Sequence, residues 1–269
     1  MSLRRVALFA CAVAGAFAQE LQFAVVPRSV IEQRLSAFTR KNADREPALR
    51  RLFEAAGCTG DALTEQPYKG AKEPNLICTL TGEVESEILV GAHFDLVEKG
   101  SGVVDNWSGA SLLASLYQGL ADVPRRHTFR FVGFSGEERG LLGSRAYVRA
   151  MEKTHESVAA MVNLDTLGLA ETEVWLSRAD LNLAKWLGVA ASTMNLPVSA
   201  VNVDGVGSTD SESFRAKKIP AITIHSLTTE TLPLLHGPKD QVEAIHMDQY
   251  YRTFRLVLAY LALLDQQVR

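Results

Sequence analysis

Histidine, aspartate and glutamate residues directly follow apolar runs at several separate places in the sequence. The runs ILVGA, FRFVGF, AAMVNL and AITI lead into such residues, and a further carboxylate ends the stretch GSGVV. The residues concerned are His93, Asp105, Glu137, Glu138, Asp165 and His236. Ligands of open α/β sheets bind beyond the carboxyl ends of the strands, so these side chains are expected at one shared edge.

Each of these residues has an ordinary structural explanation when it is taken alone. Asp105 could cap the helix that follows it, and Glu137 with Glu138 could belong to a solvated face. The joint pattern is harder to explain in this way, because ionisable groups at the ends of buried strands cost free energy unless they are paired or bind metal.

The set of donor atoms favours divalent metal ions. Two imidazoles and three carboxylates, with no thiolate, suit zinc or a similar ion. Five protein ligands are too many for one four-coordinate zinc that keeps an open position. They suit two ions that share a bridging carboxylate, and such a pair can polarise a carbonyl and activate water.

The adjacency of Glu137 and Glu138 at the end of one strand indicates that the two side chains have different roles. Neighbouring side chains point in different directions, so one glutamate can bind metal while the other acts as a base within reach of the water. The chemistry of the sequence alone does not decide which glutamate has which role.

Helices and strands alternate along the chain. Helical periodicity runs through 28–56, and further helices are predicted over 107–121, 141–152, 181–194, 211–217 and 248–266. Strands are predicted over 75–80, 87–92, 129–134, 160–164, 173–176 and 220–224. Several strands are apolar throughout, which is typical of strands covered on both faces. We therefore expect an α/β fold, a three-layer helix–sheet–helix sandwich around a mixed, mostly parallel central sheet, with the active site at the carboxyl ends of the strands.

The N-terminus has the pattern of a secretory signal peptide. Arg4 and Arg5 precede an apolar stretch that closes on an A-x-A motif ending at Ala18. We expect cleavage after Ala18, a single domain over 19–269, and a secreted or periplasmic protein. The apolar stretch is short for a membrane span, so no stable membrane insertion is expected after cleavage.

Two cysteines remain after the signal peptide, Cys58 and Cys78. In an oxidising compartment they could form one disulfide, or they could be two separate buried thiols. The charged residues are nearly balanced, 28 basic against 31 acidic, and give no indication of nucleic-acid binding. A monomer is the simplest expectation.

Several motifs resemble those of a known family, the secreted co-catalytic di-zinc aminopeptidases of the bacterial leucyl-aminopeptidase type. The matching stretches are GAHFD (91–95), VDNWSGAS (104–111), FVGFSGEERGLLGSRAYV (131–148), VNLDTLG (162–168), TDSESF (209–214), IPAITIH (219–225) and LHGPKD (235–240). TDSESF departs from the more typical serine-aspartate-histidine form, which affects contacts at the edge of the cleft.

The resemblance implies a role for each candidate residue. The metal ligands would be His93, Glu138, Asp165 and His236, with Asp105 as the bridge between two divalent ions, zinc being the expected metal. The catalytic residues would be Glu137, as general base, and Asp95, which would orient His93. Asp240 is expected to do the same for His236, and the family pattern predicts a cis peptide at Asp105-Asn106. The remaining histidines, His127, His155, His225 and His246, match no ligand position and are interpreted as structural or surface residues.

The implied activity is hydrolysis of the N-terminal peptide bond of peptides with a free N-terminus. One alternative is a glutaminyl-peptide cyclotransferase, which has a similar fold but uses a single zinc. Another is a non-catalytic peptidase-like binding domain, although every ligand position is filled here. Apolar N-terminal side chains are the default expectation for an apolar cleft.

Overall fold

The computed structural model of the protein describes residues 21–202 and 207–268. The predicted signal peptide lies outside these residues. The helices are α1 (Arg28–Ser36), α2 (Asn42–Ala55), α3 (Ser108–Leu120), α4 (Leu142–Thr154), α5 (Leu181–Met194), α6 (Ser211–Arg215) and α7 (Met247–Gln267). The strands are β1 (Leu63–Gln66), β2 (Asn75–Leu80), β3 (Val84–His93), β4 (His127–Phe134), β5 (Val158–Leu164), β6 (Thr172–Val174), β7 (Val198–Ala200) and β8 (Ala221–His225).

The strands form one mixed sheet in the order β1-β2-β4-β3-β5-β8-β6-β7. Its centre, from β4 through β3 and β5 to β8, is parallel, whereas β1, β2 and β6 join it in antiparallel pairs. β2 and β3 follow one another closely in the sequence but do not pair, because β4 lies between them. The parallel centre brings the carboxyl ends of β3, β4, β5 and β8 to one edge, as expected of an α/β sheet.

Helices cover both faces of the sheet, so the expected three-layer sandwich is confirmed. Side chains of α1, α2, α3, α5 and α7 belong to a larger core on one face, whereas α4 and α6 contribute to a smaller core on the other. Within β3, Val90 and Ala92 belong to the larger core and Leu89 to the smaller one. Burial on both faces is why residues 88–92 of this strand are apolar throughout rather than alternating.

The segment before the sheet belongs to the fold. Residues 28–56 form two helices rather than one, and the break between them contains Thr39. Leu49 and Phe53 of α2 are fully buried in the larger core. Arg45, also fully buried, donates hydrogen bonds to the carbonyls of Thr39 at 3.0 Å, Phe94 at 2.9 Å and Gly102 at 2.8 Å. It thereby attaches α2 to the loop that follows β3.

Cys58 and Cys78 form a disulfide, so of the two alternatives the structure has the bonded one. It joins the chain just beyond α2 to β2, and both cysteines are fully buried. Among the residues that the structure describes, no helix has both the length and the apolar character needed to cross a membrane.

Candidate metal centre

All six residues singled out at the strand ends come together at one edge of the sheet. His93 is the last residue of β3, Asp165 follows β5 directly, and Glu137 and Glu138 lie just beyond β4. Asp105 lies in a short irregular helical turn, Val103–Trp107, that leads into α3, and His236 comes from the loop after β8. The parallel strands therefore bring together residues that are far apart in the sequence.

Asp105 lies at the centre of the cluster and faces both histidines. Its Oδ1 lies 3.1 Å from His93 Nε2, and its Oδ2 lies 3.0 Å from His236 Nε2. His93 Nε2 is also 3.9 Å from Asp165 Oδ1, whereas His236 Nε2 is 3.2 Å from Glu138 Oε2. Each oxygen of Asp105 thus belongs to a different histidine–carboxylate group.

Two of the groups that could hold a metal ion share Asp105. One consists of His93, Asp105 and Asp165, and the other of Asp105, Glu138 and His236, each with its donor atoms within 4.8 Å of one another. Oε1 of Glu138 is buried and has no hydrogen-bond partner among the described residues. Because unpaired buried carboxylate oxygens are costly, this atom and the imidazole–carboxylate donors fit divalent cations.

The pKa shifts show that negative charge is poorly compensated here by the protein alone. Burial raises the pKa of Asp165 to about 6, and burial together with the charge of Asp105 raises that of Glu138 to about 7. Burial opposes protonation of His93, yet nearby carboxylates, Glu137 foremost, raise its pKa well above the usual value. The hydrogen bond with Asp105 raises the pKa of His236 to about 9. A cation would replace these protons.

Asp95 fixes the turn that carries the two glutamates. Its carboxylate accepts hydrogen bonds from the backbone N–H of Glu137 at 3.0 Å and of Glu138 at 3.2 Å. Its Oδ1 is 3.6 Å from His93 Nδ1, which is also 3.3 Å from the backbone carbonyl of Asp95. Asp95 therefore lies beside His93, as expected, and in addition positions both glutamates.

The peptide bond between Asp105 and Asn106 is cis, as predicted. The buried Asn106 side chain connects this turn to the end of β5: its Nδ2 donates to the carbonyl of Leu164 at 2.8 Å, and its Oδ1 accepts from the N–H of Thr166 at 3.2 Å. Asp105 and Asp165 are thus held close to each other by their sequence neighbours.

The expectation for Asp240 was wrong. Its carboxylate accepts hydrogen bonds from the backbone N–H of Val104 at 2.7 Å and of Asp105 at 3.4 Å, instead of orienting His236. The loop after β8 passes directly under the Asp105 turn, where two amide donors are buried, and a carboxylate satisfies them.

Three residues of the site were not assigned by the sequence. Asp210, from the TDSESF stretch, is buried; both of its carboxylate oxygens lack a partner among the described residues, and burial raises its pKa to about 7. His225 and Trp175 line the same cleft as Glu137, although His225 was interpreted as structural or surface. The register of β8 against β6 places both residues on the same face of the sheet, which the sequence alone does not show.

The family model described as "Peptidase family M28" matches residues 75–261, and the chain belongs to this family. Aminopeptidase YwaD of Bacillus subtilis is 28% identical over 204 residues, which cover 73% of this chain and 44% of that protein. The chain spans about half the length of the curated relatives it matches.

Solved structures show the same fold. The LapA aminopeptidase of Legionella pneumophila superposes with a TM-score of 0.81 at 21% identity, over 91% of this chain and 73% of that one. The zinc aminopeptidase BSAP of Bacillus subtilis has a TM-score of 0.65 at 27% identity, over 73% of this chain and 50% of that one. A glutaminyl cyclase of Fimbriiglobus ruber has a TM-score of 0.71 at 18% identity, over 90% of this chain and 96% of that one.

Proposed function

We propose that this chain is a metal-dependent aminopeptidase that hydrolyses the N-terminal peptide bond of peptides at a centre of two divalent ions, zinc being the expected metal. The observation that carries the proposal is the position of Asp105, which presents one carboxylate oxygen to the His93 group and the other to the His236 group. A carboxylate in this position suits a bridge between two ions.

The residues that would hold the ions follow from the two groups around Asp105. His93 and Asp165 would bind one ion, Glu138 and His236 would bind the other, and Asp105 would bind both. When bound, the two ions would polarise the scissile carbonyl and make water nucleophilic at neutral pH. The same ions would neutralise the carboxylates whose pKa values burial now raises.

Glu137 is the proposed general base. It lies in the cleft beside His93, and its backbone is held by Asp95. Burial raises the pKa of the Glu137 carboxyl well above its ordinary value, which suits a group that takes a proton from water and returns it to the leaving amine. Asp95 would restrain both this base and His93, so that their geometry is set before substrate binds.

The activity is tested by incubating the zinc-loaded protein with aminoacyl-anilides that have a free amine. The hydrolysis of each substrate is compared with that of its N-acetylated form. An aminopeptidase releases a free amino acid from the first and leaves the second intact. Equal cleavage of the acetylated form would contradict the exopeptidase assignment. Formation of pyroglutamate from a glutaminyl substrate, with no hydrolysis, would identify a cyclotransferase instead.

We further propose that residues 19–269 act as one exported, monomeric domain. The N-terminal pattern through Ala18 and the Cys58–Cys78 disulfide support an oxidising compartment. N-terminal sequencing of the protein recovered from outside the cytoplasm should begin just after Ala18, and sedimentation should give the mass of one chain. An uncut N-terminus in the cytoplasmic fraction would contradict export.

A further inference from the structure

The two glutamates of the site lie on a short turn between β4 and α4. We call residues 136–142 the glutamate turn; it contains the proposed base Glu137 and the proposed ligand Glu138. Its backbone folds back on itself, since the carbonyl of Glu137 accepts hydrogen bonds from the N–H groups of Gly140 at 2.8 Å and Leu141 at 2.9 Å. The position of this compact unit within the site therefore depends on what holds its two ends.

The side chain of Asn75 holds both ends of the glutamate turn. Its Oδ1 accepts a hydrogen bond from the N–H of Ser135, just before the turn, at 3.0 Å. Its Nδ2 donates to the carbonyl of Gly143, just after the turn, at 2.9 Å, and to Gln66 Oε1 on β1 at 2.8 Å. A reversed amide would place its N–H groups against the N–H of Ser135, so these partners determine the orientation of the amide.

The two ends of the turn lie in close contact beside the Asn75 amide. A Cβ atom added to Gly143 would lie 2.3 Å from the carbonyl oxygen of Ser135 and 2.4 Å from Asn75 Oδ1, so only glycine fits at this position. Asn75 and Ser135 are both fully buried. The amide of Asn75 therefore lies inside a dry junction, where the N–H of Ser135 depends on it for an acceptor.

This junction extends the pairing of β2 with β4 into the turn. Asn75 is the first residue of β2, and the ladder between the two strands reaches Leu76 opposite Gly133. The Asn75 side chain continues the attachment beyond that pair. The hydroxyl of Tyr68 supports the same end, because it donates to the carbonyl of Ser135 at 2.8 Å. The edge of the sheet thus holds the turn that enters the site.

We propose that Asn75 is a positioning residue of the site: by joining the two ends of the glutamate turn, it fixes where Glu137 and Glu138 lie before metal or substrate binds. The inference rests on the proposed aminopeptidase function. Asp95 holds the middle of the turn, whereas Asn75 holds its ends. Because a displacement of about 1 Å can cost about a hundredfold in rate, loss of the junction should impair catalysis strongly.

The proposed role affects the two halves of the metal centre unequally. His93 ends β3 and Asp165 follows β5, so neither residue is placed by the glutamate turn. Glu138, which belongs to the group with His236, is placed by it. Loss of the Asn75 amide should therefore weaken the ion bound by Glu138 and His236 and spare the ion bound by His93 and Asp165.

The first measurement is amide hydrogen exchange of the metal-free protein, which requires no activity. Asn75→Leu keeps nearly the same side-chain size and removes both links to the turn. Exchange in peptides that cover residues 135–143 should accelerate by at least about tenfold, since the buried N–H of Ser135 loses its acceptor. Peptides from β5 and β8 should keep their rates, because the change is a local opening.

Zinc titration and turnover test the consequence for the site. In Asn75→Leu one ion should bind with unaltered affinity and the other at least about tenfold more weakly, and kcat for a leucyl anilide at saturating zinc should fall by about 10–100-fold. Asn75→Asp is the milder variant, because it keeps an oxygen for the N–H of Ser135 and loses only the donor to Gly143. Its values should lie between those of Asn75→Leu and the unaltered protein, and it carries the test if Asn75→Leu does not fold.

Tyr260→Phe is the matched control for the loss of one buried hydrogen bond away from the site. The Tyr260 hydroxyl is fully buried and donates to the carbonyl of Leu183 at 3.0 Å, between α7 and α5. This variant should lower the global stability. Exchange of the glutamate turn relative to β5 and β8, both zinc affinities and kcat should all match the unaltered protein.

Three results would contradict the inference, and they are distinguishable. If the Asn75 variants exchange, bind zinc and turn over substrate as the unaltered protein does, Asn75 does not position the turn. If exchange rises equally along the whole chain, Asn75 contributes only to global stability. If the unaltered zinc-loaded protein hydrolyses no aminoacyl-anilide, the proposed function fails, and accelerated exchange confined to the turn would then show a junction without a reaction to serve.

Discussion

The carboxylate of Asp240 accepts a hydrogen bond from the backbone N–H of Val104 at 2.7 Å. The contact joins the loop that carries His236 to the turn that carries Asp105. The backbone carbonyl of Asp240 adds a second link, because it accepts from the N–H of Ser101 at 3.0 Å. Asp240 therefore helps to hold His236 close to Asp105, an approach on which one half of the proposed metal centre depends.

Substitution of Asp240 should weaken both the fold and the metal centre. Asp240→Ala leaves the buried N–H groups of Val104 and Asp105 unpaired and should lower the free energy of unfolding by about 1–3 kcal/mol. Asp240→Asn should have a smaller effect, since its amide oxygen can still accept one hydrogen bond. Denaturant titration and zinc titration measure the two effects. Asp248→Ala is the control, because its side chain is 71% exposed, and it should change stability little. No change in either titration for Asp240→Ala would contradict this role.

Loss of the Asp95 carboxylate should impair the metal centre without unfolding the protein. Asp95→Asn places an amide group against the N–H of Glu137 or Glu138 and removes the charge beside His93. Metal affinity or activity should fall by about 10–100-fold, as is typical for residues that orient ligands. Glu98→Gln, on the exposed part of the same loop, should behave as the unaltered protein. The prediction is wrong if Asp95→Asn binds zinc and turns over substrate normally.

Arg45 should be essential to stability although it lies away from the reacting groups. Arg45→Met keeps much of the side-chain length but removes the donor to the buried carbonyls of Phe94 and Ser101. The free energy of unfolding should drop by about 3 kcal/mol or more, since each unpaired buried group costs about 1–3 kcal/mol. The matched variant Arg51→Met, at an exposed position on α2, should stay within about 0.5 kcal/mol. Equal stabilities by urea denaturation would show that the helix–loop link contributes little.

The Cys58–Cys78 disulfide should stabilise the protein mainly by restricting the unfolded chain. The two cysteines are 20 residues apart, for which chain entropy predicts about 3 kcal/mol. The variant Cys58→Ser/Cys78→Ser should therefore melt at a lower temperature and be indifferent to reductant, whereas the unaltered protein should lose stability when reduced. Two free thiols in the native protein by mass spectrometry, with no response to reductant, would contradict the bond.

The sequence predicted the central strands and the polar residues that meet at the edge of the sheet because both depend on local signals. The later parts of β3, β4 and β5 are buried on both faces, so each contains a mostly apolar run, and the polar residues that follow each run mark the edge of the sheet. The exposed edge strands β1 and β7 were missed, since LTEQ and VSA carry no such run. The break between α1 and α2 was also missed, because apolar periodicity continues on both sides of it.

Contacts between distant segments could not be predicted in the same way. The role of Asp240 depends on a loop that passes beneath the Asp105 turn, and the disulfide depends on the approach of Cys58 to β2. Whether His225 faces solvent, core or cleft depends on the register of β8 against β6, and a shift of one residue would reverse it. These features follow from tertiary packing, of which the sequence gives no local sign.

The most direct test of the two-metal account is the metal content per chain, measured by plasma mass spectrometry after apo protein is equilibrated with zinc. The account predicts two ions in the unaltered protein and two in Glu137→Gln, with kcat for a leucyl or asparaginyl anilide about 10²–10⁴-fold lower in that variant because only the base is lost. Glu138→Gln should retain fewer ions than either. A single ion in the unaltered protein, or loss of metal from Glu137→Gln but not from Glu138→Gln, would contradict the account.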